Sequence, residues 1–100
     1  MDVTFRTRKL QREYERSAKA VKAYGADVGR KYILRINIIK HSGSIDELKR
    51  IPALRCHSLK GDRADEWAID LTGLQRLIFT LSGEQLSVVR IEEVSKHYGD

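Results

Sequence analysis

A chain of 100 residues with 41% hydrophobic and 33% charged side chains has the length and apolar content of one folded domain, which excludes a disordered segment. The single Cys56 excludes an internal disulfide framework, and histidines at 41, 57 and 97 give no four-ligand zinc spacing. The net charge of +5 is unevenly placed, with fifteen basic and six acidic groups in residues 1–60 (+9) and four basic and eight acidic in residues 61–100 (−4), so a polyanion is the first partner to weigh against a merely well-solvated basic surface.

Val3 and Phe5 alternate with Thr4 and Arg6, which predicts a short first strand with one buried face. Thr7 then caps a helix in which Leu10, Tyr14, Ala18 and Val21 recur at helical spacing, while Arg8, Lys9, Arg12, Arg16, Lys19 and Lys22 cover the remaining surface; Gly25 ends it. Asp27 is expected to cap a second helix with the stripe Val28, Tyr32, Ile36 and Ile39, widened by Ile33, so that the two helices pair as a hairpin. Beyond the break at Gly43, Ser44 followed by Glu47 is a capping-box signature for a short third helix, with Ile45, Leu48 and Ile51 as its buried side and Pro52 closing it. From there the period falls to about 2 through 54–59, 67–72, 76–81 and 86–91, which reads as four strands. Gly61, Gly73 and Gly83 lie in short connections, so neighbouring strands should be antiparallel. The expected fold class is α+β, a single domain over 1–100 with helices on one face of one mainly antiparallel sheet. No apolar run approaches the roughly 18 residues that span a bilayer, and no apolar stretch follows the first charges, so neither anchor nor leader is expected and the cytoplasm is the expected compartment.

Chemistry-bearing residues concentrate after Pro52. The run from Arg55 to Arg63 holds His57, Lys60 and two guanidinium groups before a glycine turn. Histidine is the residue type there whose ordinary pKa, about 6.5, permits proton transfer near neutral pH, and Lys60 and Arg63 are natural phosphate ligands. Strict alternation puts His57 and Lys60 on opposite faces, so joint action needs a bulge or a turn beginning at Ser58 or Leu59. If the helices cover Leu77, Phe79 and Leu81, Arg76 projects from the other face, where a phosphate can reach it. By themselves these residues leave structural roles open, as a core histidine and a solvated strand arginine.

The segments His57-Ser58-Leu59-Lys60-Gly61-Asp62-Arg63, Trp67-Ala68-Ile69-Asp70-Leu71 and Arg76-Leu77-Ile78-Phe79, at this spacing, resemble the run characteristic of the HigB branch of the RelE/ParE toxin superfamily. The resemblance extends to the Val-x-Phe strand, the helix start from Thr7 to Leu10, the stretch from Leu48 to Pro52 and the final Gly99, nearly the whole chain. It implies a RelE-like fold and the toxin role of a type II toxin–antitoxin system. The implied activity is ribosome-dependent cleavage of messenger RNA without a metal or other cofactor. A HigA-like antitoxin with a helix-turn-helix, the 70S ribosome and the message are the implied partners, with operator DNA bound only by the toxin–antitoxin complex and no membrane involved. Carried over residue by residue, the family's histidine falls on His57, its lysine on Lys60 and its arginine on Arg76. At the C-terminus relatives usually read Asp-Tyr-His, whereas this chain reads Lys96-His97-Tyr98, so His97 and Tyr98 are the expected terminal members of the catalytic set with their order exchanged. Arg8, Arg12, Arg16 and Lys19, with Arg63, are the expected ribosomal RNA contacts. A ParE-like inhibitor of gyrase and a non-catalytic nucleic-acid-binding relative are the competing readings.

Overall fold

The structure is a computed structural model and describes residues 1–96. Strand β1 (Asp2–Phe5) is followed by helices α1 (Arg8–Glu15), α2 (Ser17–Tyr24), α3 (Ala26–His41) and α4 (Ile45–Lys49), then strands β2 (His57–Ser58), β3 (Glu66–Asp70), β4 (Gln75–Ser82) and β5 (Val88–Lys96). The five strands form one sheet in the order β1-β5-β4-β3-β2. Strands β2 to β5 are antiparallel neighbours, and β1 joins the last strand in parallel, with Val3 opposite Val89 and Phe5 opposite Ile91. The expected α+β class and predominantly antiparallel sheet are therefore observed.

Period-2 patterning decides which face of the sheet is covered. Ile69, Leu77, Phe79, Val89 and Ile91 form one core with Leu10, Ala20, Val28, Tyr32, Ile36, Ile39 and Leu48 of the four helices. All four residues of the predicted α3 stripe are buried, and Ile33 is half-buried beside them. Tyr32, fully buried, donates its hydroxyl proton to the Leu10 carbonyl at 2.7 Å, which satisfies the one polar atom that this stripe brings inside.

Helix ends follow the capping residues. The Thr7 hydroxyl accepts the Leu10 amide at 3.1 Å, the Ser44 hydroxyl accepts that of Glu47, and the Glu47 carboxylate reaches back to the Gly43 amide. Gly25 ends α2 at φ +87°, a conformation that costs an L side chain free energy and glycine none.

Three expectations need correction. The first predicted helix is two, because Arg16 adopts an extended backbone (φ −130°, ψ 108°) between α1 and α2. The apolar stripe consequently changes register at the break: Ala18 and Val21 are exposed, and Ala20 packs inward instead. Asp27 is not the cap of α3, which begins at Ala26 behind Gly25; Asp27 sits in the first turn and pairs with Lys31 at 3.6 Å. The strand expected over 54–59 shrinks to His57–Ser58, since Pro52–Leu54 closes a turn of 3-10 helix and Arg55 takes a left-handed backbone.

Candidate active site

A cleft of about 440 Å³ opens on the sheet face away from the helices, lined by His57, Ser58, Leu59, Lys60, Arg63, Arg76, Ile78, Ser95 and Lys96. Register explains the gathering. His57 pairs with Ala68, which pairs with Ile78, so these three share a row across β2, β3 and β4. Arg76 lies two residues before Ile78 on the same face, opposite Asp70 on one side and Ser95 on the other. The brevity of β2 removes the obstacle that strict alternation sets between His57 and Lys60. Pairing ends after Ser58, and the turn at Gly61 (φ +70°) folds Lys60 and Arg63 back over the cleft.

The His57 ring has a fixed orientation. Its Nδ1 lies 2.7 Å from the carbonyl oxygen of Arg55. A carbonyl only accepts, so Nδ1 carries the hydrogen, and in the neutral ring the lone pair stands on Nε2. Nε2 is then the atom able to take a proton. Arg76 is 6% exposed, a guanidinium set into the floor of the cleft, whereas Lys60 is exposed at its wall. Lys96 adds a cation that sequence reasoning did not single out, because the last strand was expected to end at 91 and only its extension to Lys96, in register with Gln75 beside Arg76, brings it to the cleft.

Arg63 lines the cleft, but its charge is engaged. Its guanidinium hydrogen-bonds Glu66 and reaches Glu93 at 3.4 Å, and the Glu66 bond holds its pKa above the ordinary arginine value. Lys60 and Lys96 therefore carry the outer positive charge. His97 and Tyr98, expected as terminal catalytic residues, lie outside the described residues, directly after cleft-lining Lys96 in sequence.

The expected RNA-contacting residues Arg8, Arg12, Arg16 and Lys19 are all exposed, on the helical layer rather than in the cleft. The break at Arg16 opens a second hollow of about 510 Å³ between α1 and α2, where Arg12 and Lys19 are joined by Lys9 and Lys22. Its inner wall holds Glu13, only 3% exposed, which accepts the Tyr24 hydroxyl and pairs with Lys9 at 2.8 Å. Burial, together with this carboxylate, pushes the Tyr24 hydroxyl's pKa above its ordinary value. Glu13 carried no signal in the sequence because a lone carboxylate reads as a surface residue, although it stands three residues after Leu10 on the inward face of α1; the break at Arg16 brings Tyr24 back onto it.

Among the described residues, no group of three or more His, Cys, Asp or Glu is placed to hold a metal ion, and no helix is long and apolar enough to cross a membrane. The sequence matches no protein-family model and no curated protein. Solved structures do match. A YoeB/ParE toxin from Agrobacterium tumefaciens shares 24% identity over 98% of this chain and all of that one, with a TM-score of 0.58. YafQ from E. coli strain BL21(DE3) shares 14% over 95% of this chain and 91% of its own, with a TM-score of 0.61. YoeB in a heterotetrameric YoeB-YefM toxin-antitoxin complex from Staphylococcus aureus shares 17% over 98% of both chains, with a TM-score of 0.53. Near-complete mutual coverage and TM-scores of 0.53 to 0.61 give this chain the fold of these toxins, the fold that the resemblance in its own sequence implied.

Proposed function

We propose that the chain is the toxin of a type II toxin–antitoxin system and acts as a ribosome-dependent endonuclease on messenger RNA, restrained by a HigA-like antitoxin. The observation that carries this reading is the cleft itself: an imidazole with its Nε2 lone pair available, beside Lys60, Arg76 and Lys96. The likeness to a YoeB-YefM toxin-antitoxin complex supports an antitoxin partner.

RNA contains its own nucleophile. Nε2 of His57 takes the proton of a 2′-hydroxyl, the 2′-oxygen forms a bond to the adjacent phosphorus, and the bond from phosphorus to the 5′-oxygen breaks. Lys60 and Arg76 hold the phosphate and stabilise the extra negative charge of the transition state. The departing 5′-oxygen takes its proton from His97, and Tyr98 stacks on a neighbouring base. No metal is needed in this scheme. Arg8, Arg12, Arg16 and Lys19 on the helical layer grip ribosomal RNA phosphates, so that the ribosome presents the message to the cleft; Arg63 orders the cleft wall through its carboxylate pairs. A gyrase inhibitor that acts by binding alone has no use for an oriented imidazole beside phosphate ligands, which is why the nuclease reading is preferred.

The test is expression in growing bacteria with mapping of messenger RNA 5′ ends. Wild type should arrest growth and leave cuts within translated regions, and His57→Ala or Lys60→Ala should reduce cutting by about 10² to 10⁴ while thermal melts match wild type. Arrest with DNA-damage signalling and intact transcripts supports the gyrase reading instead. Absence of arrest supports a non-catalytic relative.

A further inference from the structure

We infer that Arg55 is a positioning residue that selects the tautomer of His57, and that its ion pair with Asp70 is the anchor that makes this selection hold. Arg55 adopts a left-handed backbone (φ 45°, ψ 46°), a conformation that costs a non-glycine residue on the order of 1 kcal/mol and is seldom kept without a compensating interaction. Here the compensation is visible at both ends of the residue. The carbonyl is turned onto Nδ1 of His57 at 2.7 Å, and the guanidinium meets the Asp70 carboxylate at 2.9 Å. Asp70 is itself held, since its carbonyl accepts Nε of Arg35 from α3 at 3.2 Å and its backbone pairs with Arg76 in β4. A path of contacts thus runs from the helical layer through the end of β3 to the ring that faces the cleft.

An imidazole in water favours hydrogen on Nε2, which leaves the lone pair on Nδ1. The Arg55 carbonyl reverses that preference, because only the Nδ1–H form satisfies it. The segment before the two-residue strand is tied by the buried Leu54 and by the Arg55 amide on the Pro52 carbonyl at 3.1 Å, and the ion pair adds the tie made by the Arg55 side chain itself. Arg55 touches no reacting atom in this arrangement; it acts through His57.

The inference rests on the reading of His57 as proton carrier only for its catalytic consequence, and its structural half is measured without activity. Long-range ¹H–¹⁵N correlation spectra at alkaline pH, with the His57 ring identified by its disappearance in His57→Gln, report which nitrogen carries the hydrogen. Wild type should show a protonated Nδ1 and an unprotonated Nε2. The reverse pattern overturns the inference outright. In Arg55→Gly, which fits the left-handed backbone and keeps the carbonyl, and in Asp70→Ala, the ring should move toward the solvent-favoured Nε2–H form with the β3–β4 amide signals away from the substituted residue and its strand partner unchanged. Arg55→Lys, which retains a cation for Asp70, should restore the wild-type pattern in large part. A ring unaffected in either Arg55→Gly or Asp70→Ala removes the ion pair from the account. If the nuclease reading also holds, Arg55→Gly should lower kcat on ribosome-bound message several-fold to about tenfold with KM unchanged, following the smaller fraction of rings in the competent form. Correct tautomers without cleavage leave this inference standing and remove the nuclease reading.

Discussion

The hydrogen atoms and charges of individual side chains govern how this protein responds to pH. Cys56 is half-buried, and desolvation pushes its thiol from 9.0 up to about 11 against the smaller opposing effect of Lys49. Tyr24 and Tyr32 are likewise raised, chiefly by burial. For all three groups the folded state favours the neutral form, so the stability they contribute is complete below their unfolded pKa values. It is lost as the pH rises through the folded ones. Urea midpoints should accordingly hold steady to about pH 8.5 and fall across the range to pH 11, since unfolded thiols and phenols ionise from about 8.5 and 10. Iodoacetamide offers a separate readout, because the thiolate is the reacting species: native Cys56 should be alkylated at pH 8 roughly tenfold to a hundredfold more slowly than the urea-unfolded chain. Equal rates in the two states would mean that the thiol is not shielded.

Among the elements, the packing of α2 on α3 has the least room for change. A Cβ built on Gly29 falls 2.8 Å from the backbone carbon of Ala20 and 2.8 Å from the amide nitrogen of Val21, both main-chain atoms that cannot swing aside. Gly29→Ala must therefore push the helices apart at the point where Ala20 and Val28 are buried. Overpacking of this kind costs about 1–3 kcal/mol, enough to outweigh alanine's higher helix propensity. The expected fall in Tm is about 4–8 °C per kcal/mol for a domain of this size. A melt that is unchanged or raised would show that the helices separate without penalty. The helix break at Arg16 belongs to the same scale. It brings the Tyr24 hydroxyl back onto Glu13 and lets Ala20 reach Gly29, an arrangement that one straight helix from Arg8 to Tyr24 cannot make.

Across the whole molecule, positive charge is carried on two different layers. One set lines the cleft on the open sheet face, and the other rims the hollow between α1 and α2. Their roles separate by salt dependence. Lys19→Glu with Lys22→Glu should weaken binding to ribosomal RNA and flatten its salt dependence by roughly 0.7–0.9 in log–log slope for each phosphate that the protein no longer neutralises. His57→Gln should leave that slope as it is. Filter binding of ribosomes across a salt series measures both, and an unchanged slope in the double lysine variant would show that Lys19 and Lys22 do not touch RNA phosphates.

The chain by itself determined the class of fold and much of its detail. Apolar spacing fixed the α3 stripe and the covered face of β4, and capping residues fixed where α1 and α4 begin; His57, Lys60 and Arg76 were joined into one site only by the family resemblance, since alternation by itself set His57 and Lys60 on opposite faces. These features were legible because each depends on residues near one another in sequence, at the periods 3.6 and 2 that backbone geometry imposes. Only the tertiary structure decided the rest. The extended backbone at Arg16 carries no proline or glycine signal and is settled by the packing of α2 on α3, while the pairing of Arg63 with Glu93 spans thirty residues of sequence. Which nitrogen of His57 holds its hydrogen rests on the left-handed turn at Arg55 and on its partner at the end of β3. Long-range partners of this kind follow from strand register, and register forms only when the whole sheet assembles.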